Sequence, residues 1–172
     1  MDILTKINWV DILIVIIIAR ISYIALQDGL SHEIFPLIGT VITAAISMRY
    51  YRDLSAFVQG TTGISMPVLE VLAFIALVVC VGLIFKLARL LVDALLKVTW
   101  HPFVEKFGGL VFGFLRASVV VSILLTIMSL TPLSYLSYSI KDKSLLGHYF
   151  LNITPEISNR TAWAFPVIAI KK

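Results

Sequence analysis

Residues 9–26 read WVDILIVIIIARISYIAL. A helix rising ~1.5 Å per residue carries such a run across about 27 Å, close to the ~30 Å of hydrocarbon in a bilayer. Three further stretches, roughly residues 30–48, 68–85 and 107–130, have the same character. Lipid offers the backbone no hydrogen-bond partners, so spanning segments of this composition must be helices. The expected fold class is an all-α integral membrane protein. Four transmembrane helices fall within residues 1–131, and residues 132–172 form an interfacial or cytoplasmic helical tail.

Composition agrees. Hydrophobic residues make up 59% of the chain and charged residues 14%, with mean hydropathy +0.99, against ~25% charged in soluble domains. At 172 residues there is room for one bundle and a tail, and no separate catalytic domain fits in the connections. The net charge of +4 sits at segment ends, where anionic lipid headgroups would meet it, so the bilayer rather than nucleic acid is the expected partner. The lone cysteine, Cys80, lies inside the third apolar run and reads as packing. Lys6 before the first run mimics a secretion signal, but the run is too long and carries Arg20, so an uncleaved first span is expected.

Local signals refine the bundle. Trp9 and Asp11 open the first helix at the headgroup boundary. Arg20, eleven residues on, falls about 16 Å deep, where an unpartnered arginine costs ~2.5–3.5 kcal/mol. Gln27-Asp28-Gly29 is a tight connection, implying that the first two helices form an antiparallel hairpin. Glu33 stands at the mouth of the second span, Pro36 offers a bend, and Gly39 permits close approach of another helix. The polar run from Arg49 to Gly63 reads as a loop, and Pro67 and Glu70 mark the start of the third helix. Past Phe85, Lys86, Arg89, Asp93 and Lys97 recur at steps of three and four, forming one cationic face for lipid or a partner. That helix should leave the membrane, turn along its surface, and end between Trp100 and Pro102.

In the fourth span, Gly109 and Gly113 make a small-xxx-small pair, with Arg116 three residues later near mid-depth. Two arginines at such depth should both face the bundle interior or a polar cavity, with Asp11, Glu33 or Glu70 as carboxylate partners. In the tail, Leu145, Leu146, Tyr149, Phe150 and Ile153 form an apolar stripe and Trp163 to Ile170 is too short to span, so the tail should cover one end of the bundle. Counting every basic residue places both ends inside; omitting the distant tail reverses the balance.

Taken in order, Trp9-Val10-Asp11, then Asp28-Gly29-x-x-x-Glu33-x-x-x-x-x-Gly39, Tyr50-Tyr51, and Gly109-x-x-x-Gly113-x-x-Arg116 resemble the bacterial colicin V production protein family over roughly residues 9–150. This chain has Asp28-Gly29 where members usually have Arg-Gly, Glu105-Lys106 where they have Asp-Arg, and Ala117 where a glycine is common. The resemblance implies a small multi-pass protein of the bacterial inner membrane, associated with production of a toxin and with envelope maintenance. It implies neither enzymatic chemistry nor a cofactor.

The residues themselves agree on that point. No metalloprotease, nucleophile-elbow, paired-cysteine or phosphate-loop motif occurs. His32, His101 and His148 are scattered without metal-ligand spacing, so neither a catalytic nor a metal site is expected. Two function classes stand. In one, the protein is non-enzymatic and acts by assembly with itself or with export or envelope machinery. In the other, it is a small transporter or proton-conducting subunit using Arg20, Glu33 and Arg116 within an oligomer.

Overall fold

The computed structural model describes residues 8–62, 64–95, 101–132, 139–140, 144 and 146–161. Among them the chain is helical and contains no strand: α1 (Trp9–Asp28), α2 (Leu30–Thr62), α3 (Met66–Leu95), α4 (Pro102–Leu130), α5 (Gly147–Leu151) and α6 (Ile153–Arg160). The first four are long and apolar enough to cross a membrane. Large apolar side chains such as Ile16, Leu72, Leu83 and Phe114 point outward. Only a surrounding hydrocarbon makes such exposure favourable over four helices.

The start of α1 is set by a capping box. The Asn8 side chain accepts from the Trp9 N–H at 2.8 Å, and Asp11 Oδ2 accepts from the Asn8 N–H at 3.0 Å. Its end is Gly29, alone between α1 and α2 at φ 86°, a conformation that disfavours any side chain. The turn is as tight as expected. The two helices it joins nevertheless touch little: α1 rests chiefly on α4, and α2 on α3 and α4.

Helix α2 departs most from the sequence reading, running helical through Arg49–Asp53 and Gln59–Thr62 where a loop is expected. Tertiary burial explains this. Tyr51 sits edge-on against Phe74 of α3, ring centroids 5.8 Å apart, and Ser55 is fully buried. No proline interrupts the stretch, so packing overrides its polar composition. Gly39 meets Phe85 just as Tyr51 meets Phe74, which makes α2 and α3 antiparallel. α3 is one helix through Leu95, and Pro102 begins α4 in the N-terminal position that proline favours.

The tail packs into the bundle. Ile140, Leu146, Phe150 and Leu151 join Val10, Ile14, Val121 and Leu125 in one apolar cluster, while Ile153 and Ile157 pack on another built around Tyr51 and Phe74. Of the expected stripe, Leu146, Phe150 and Ile153 are engaged, Tyr149 is exposed, and Leu145 lies outside the described residues, as does Trp163–Ile170. Thr154 locks α6 to α4, its N–H and hydroxyl each donating to Ser122 Oγ at 2.8 Å. Cys80 corrects its sequence reading, since it is exposed on the outer face of α3 and is no packing residue.

Candidate functional site

The α1–α4 contact is built from absent side chains. A Cβ on Gly109 would collide with the Ala25 carbonyl oxygen, and one on Gly113 with the Ala25 side chain. The two backbones therefore come as close as the small-xxx-small pattern allows. Along α4, Gly109 also meets Gly29 and Gly113 also meets Ser22, so α1 and α4 run in opposite senses. The tight turn at Gly29 is thereby pinned against the first half of α4.

From that contact the place of Arg116 follows. Three residues beyond Gly113 it is rotated by about 60° around α4, away from α1 and toward α2. Counted from Gly109, its Cα is about 10 Å down the helix, and helical side chains lean back toward the N-terminus. The guanidinium thus reaches up to Glu33 in the first turn of α2. Arg116 Nη1 donates to both Glu33 oxygens at 2.7 Å. Glu33 is 1% exposed, and the Arg116 side chain is 25% exposed.

Of the three candidate carboxylates, the structure selects Glu33 for Arg116. Asp11 serves a different purpose. Buried at the foot of α1, its Oδ1 accepts from the Ser144 hydroxyl and, at 2.9 Å, from the Leu146 N–H. Asn8 Nδ2 adds a bond to the Ser139 carbonyl at 2.9 Å. Asp11 therefore fastens the tail to the start of α1.

Arg20 corrects the expectation that both arginines face inward. It lies five residues before buried Ala25, about 140° around α1, and is exposed on the outer face. No described residue pairs with it.

Glu105 joins the site although the sequence reading named it only as a departure from the family pattern. From the first turn of α4 its Oε1 accepts from the Ser31 N–H at 3.0 Å, satisfying one of the donors that open α2. Its Cγ would lie 2.7 Å from a Cβ on Gly29, so turn and carboxylate fill one another's space. The available signal was its position, one turn ahead of the Gly109 that touches Gly29.

Gly39 does admit another helix, with Phe85 of α3 against it. Lys86 is exposed and Arg89 partly buried, and with Arg116 they line a groove of about 320 Å³ among α2, α3 and α4. Lys97 lies outside the described residues. The arrangement thus comprises a buried ion pair tying α2 to α4, a packed glycine seam tying α4 to α1, and a cationic groove beside them.

No curated protein and no solved structure is significantly similar to the chain. A family model described as Colicin V production protein matches residues 10–155. That range contains Asp11, the Gly29 turn, the Glu33–Arg116 pair and the glycine seam of α4, and on this match the chain belongs to the colicin V production protein family.

Proposed function

We propose that this protein is a non-enzymatic, multi-pass protein of the bacterial inner membrane that works by assembling with itself or with a second membrane protein, in toxin production or export and in envelope maintenance. Family membership supports the setting. The observation that carries the assembly reading is Arg20. It lies on the outer face of α1, about 13 Å down the helix from Gly29, with no partner among the described residues. An arginine exposed to acyl chains at such depth costs ~2.5–3.5 kcal/mol, which a carboxylate or carbonyl on a neighbouring subunit would offset. The transporter reading needs Arg20, Glu33 and Arg116 on one path, and Arg20 lies apart from the other two.

Crosslinking in the native membrane followed by mild-detergent purification tests the proposal. The wild-type chain is expected to appear as a discrete higher-mass species that Arg20→Leu abolishes. A monomeric wild-type chain, or an assembly unchanged by Arg20→Leu, would overturn it. Solute or ion flux in proteoliposomes that disappears with Arg20→Leu would favour the transporter class instead.

A further inference from the structure

The groove beside the ion pair has a polarity along its length. Its floor is one face of α2, from Phe35 through Gly39 and Thr40 to Thr43, and its walls are α3 and α4, which touch each other little. Because α3 runs antiparallel to α2, with Phe85 opposite Gly39, residues 86 and 89 lie level with the first turns of α2. Arg116 reaches the same level through Glu33. All three cations, Lys86, Arg89 and Arg116, therefore gather at the end nearest the α1–α2 turn. The opposite end is apolar, lined by Val78, Val120 and Ile123.

Nothing polar at that apolar end calls for water. The hydroxyls of Thr40 and Thr43 donate to the carbonyls of Pro36 and Gly39 in their own helix, at 2.7 Å each, so both donors are satisfied without water. At the cationic end, both bonds from Arg116 to Glu33 come from Nη1, and no described residue accepts from its Nε or Nη2. None of the described lining residues is acidic. From α2 residue 35 to 43 the groove extends about 12 Å, enough for a phosphate at one end and the first part of an acyl chain along the rest.

We propose that this groove is a binding site for an anionic phospholipid, its phosphate held by Arg116 and Lys86 with Arg89 beside them, and its acyl chain laid between α3 and α4 against α2. The exposed Lys86 ammonium and the Nε and Nη2 donors that Arg116 does not spend on Glu33 select an anion, the apolar end selects an amphiphile over a free ion, and the splay of α3 from α4 lets the ligand enter sideways from the bilayer. The site stands independently of how the chain assembles.

Gly82 supplies a clean test. It lines the groove, and a Cβ placed there would meet nothing within 4 Å, so a side chain can start there and grow into the groove. The full-length protein is reconstituted in nanodiscs of equimolar phosphatidylglycerol and phosphatidylcholine, extracted in mild detergent, and its retained lipid counted by native mass spectrometry. The expected result is at least fivefold preferential retention of one phosphatidylglycerol. That preference should be lost in Lys86→Gln/Arg89→Gln and in Gly82→Phe, while the thermal midpoint of Gly82→Phe stays within about 2 °C of wild type. Equal retention of both lipids, or preference unchanged by Gly82→Phe, would overturn the site. Displacement of the lipid by millimolar inorganic phosphate would overturn the amphiphile assignment in favour of a free-anion site.

Discussion

At the scale of single residues, Glu33 and Arg116 answer how a carboxylate can be buried in an apolar bundle. Desolvating both groups is costly, and close contact offsets that cost only while both partners are present. Removing Arg116 strands a buried carboxylate, whereas removing Glu33 leaves a guanidinium that still reaches the groove. Arg116→Ala is expected to lower unfolding free energy by about 3–5 kcal/mol and Glu33→Ala by less, read from thermal or denaturant unfolding in detergent micelles. Arg20→Leu, on the outer face, is expected to leave that stability unchanged or raise it, because its charge has no partner within the described chain. The pairing itself was not legible in the sequence. Asp11, Glu33 and Glu70 were equivalent as partners until the glycine seam fixed how α4 is rotated. The outward direction of Arg20 was equally hidden, since α1 is apolar around its whole circumference and offers no stripe from which to orient it.

At the scale of elements, the seam between α1 and α4 depends on the absence of side chains at Gly109 and Gly113. Gly113→Val is expected to push α1 off α4 and cost several kcal/mol, whereas Gly82→Val should be nearly neutral, because only the first position has a neighbour where the new carbon would go. A thermal-shift comparison of the two variants checks this. The tail makes a second element-scale prediction. Asp11→Ala removes the acceptor for Ser144 and Leu146, so limited trypsinolysis at Arg160 should accelerate several-fold while the four long helices remain protected. Four spans were readable because bilayer-facing composition is uniform and long-range packing hardly alters it. The continuation of α2 to Thr62 was not readable, because Tyr51 and Ser55 are held helical by contacts with distant parts of the chain. The tail was half legible: its apolar stripe was visible, but not the Ser122–Thr154 tie that inserts it between α4 and α2.

At the scale of the whole molecule, α4 is the organising helix. One side takes α1 through glycines, a neighbouring side takes α2 through the ion pair, and its far half takes the tail through Ser122 and Leu125. α3 is held mainly by α2, which leaves the cationic groove between α3 and α4. The motifs that carried the family resemblance are therefore the joints of the bundle: the Gly29 turn, Glu33, Gly39, Gly109, Gly113 and Arg116 each form one of these contacts. In that arrangement the pairing of α2 with α4 depends on attraction between residues 33 and 116 and not on either charge alone. The charge-swapped double variant Glu33→Arg/Arg116→Glu, compared with both single variants by thermal unfolding of the purified protein, measures that dependence directly. The double variant should recover at least half of the midpoint lost in the less stable single variant; losses that simply add would mean that α2 and α4 are not joined through this pair.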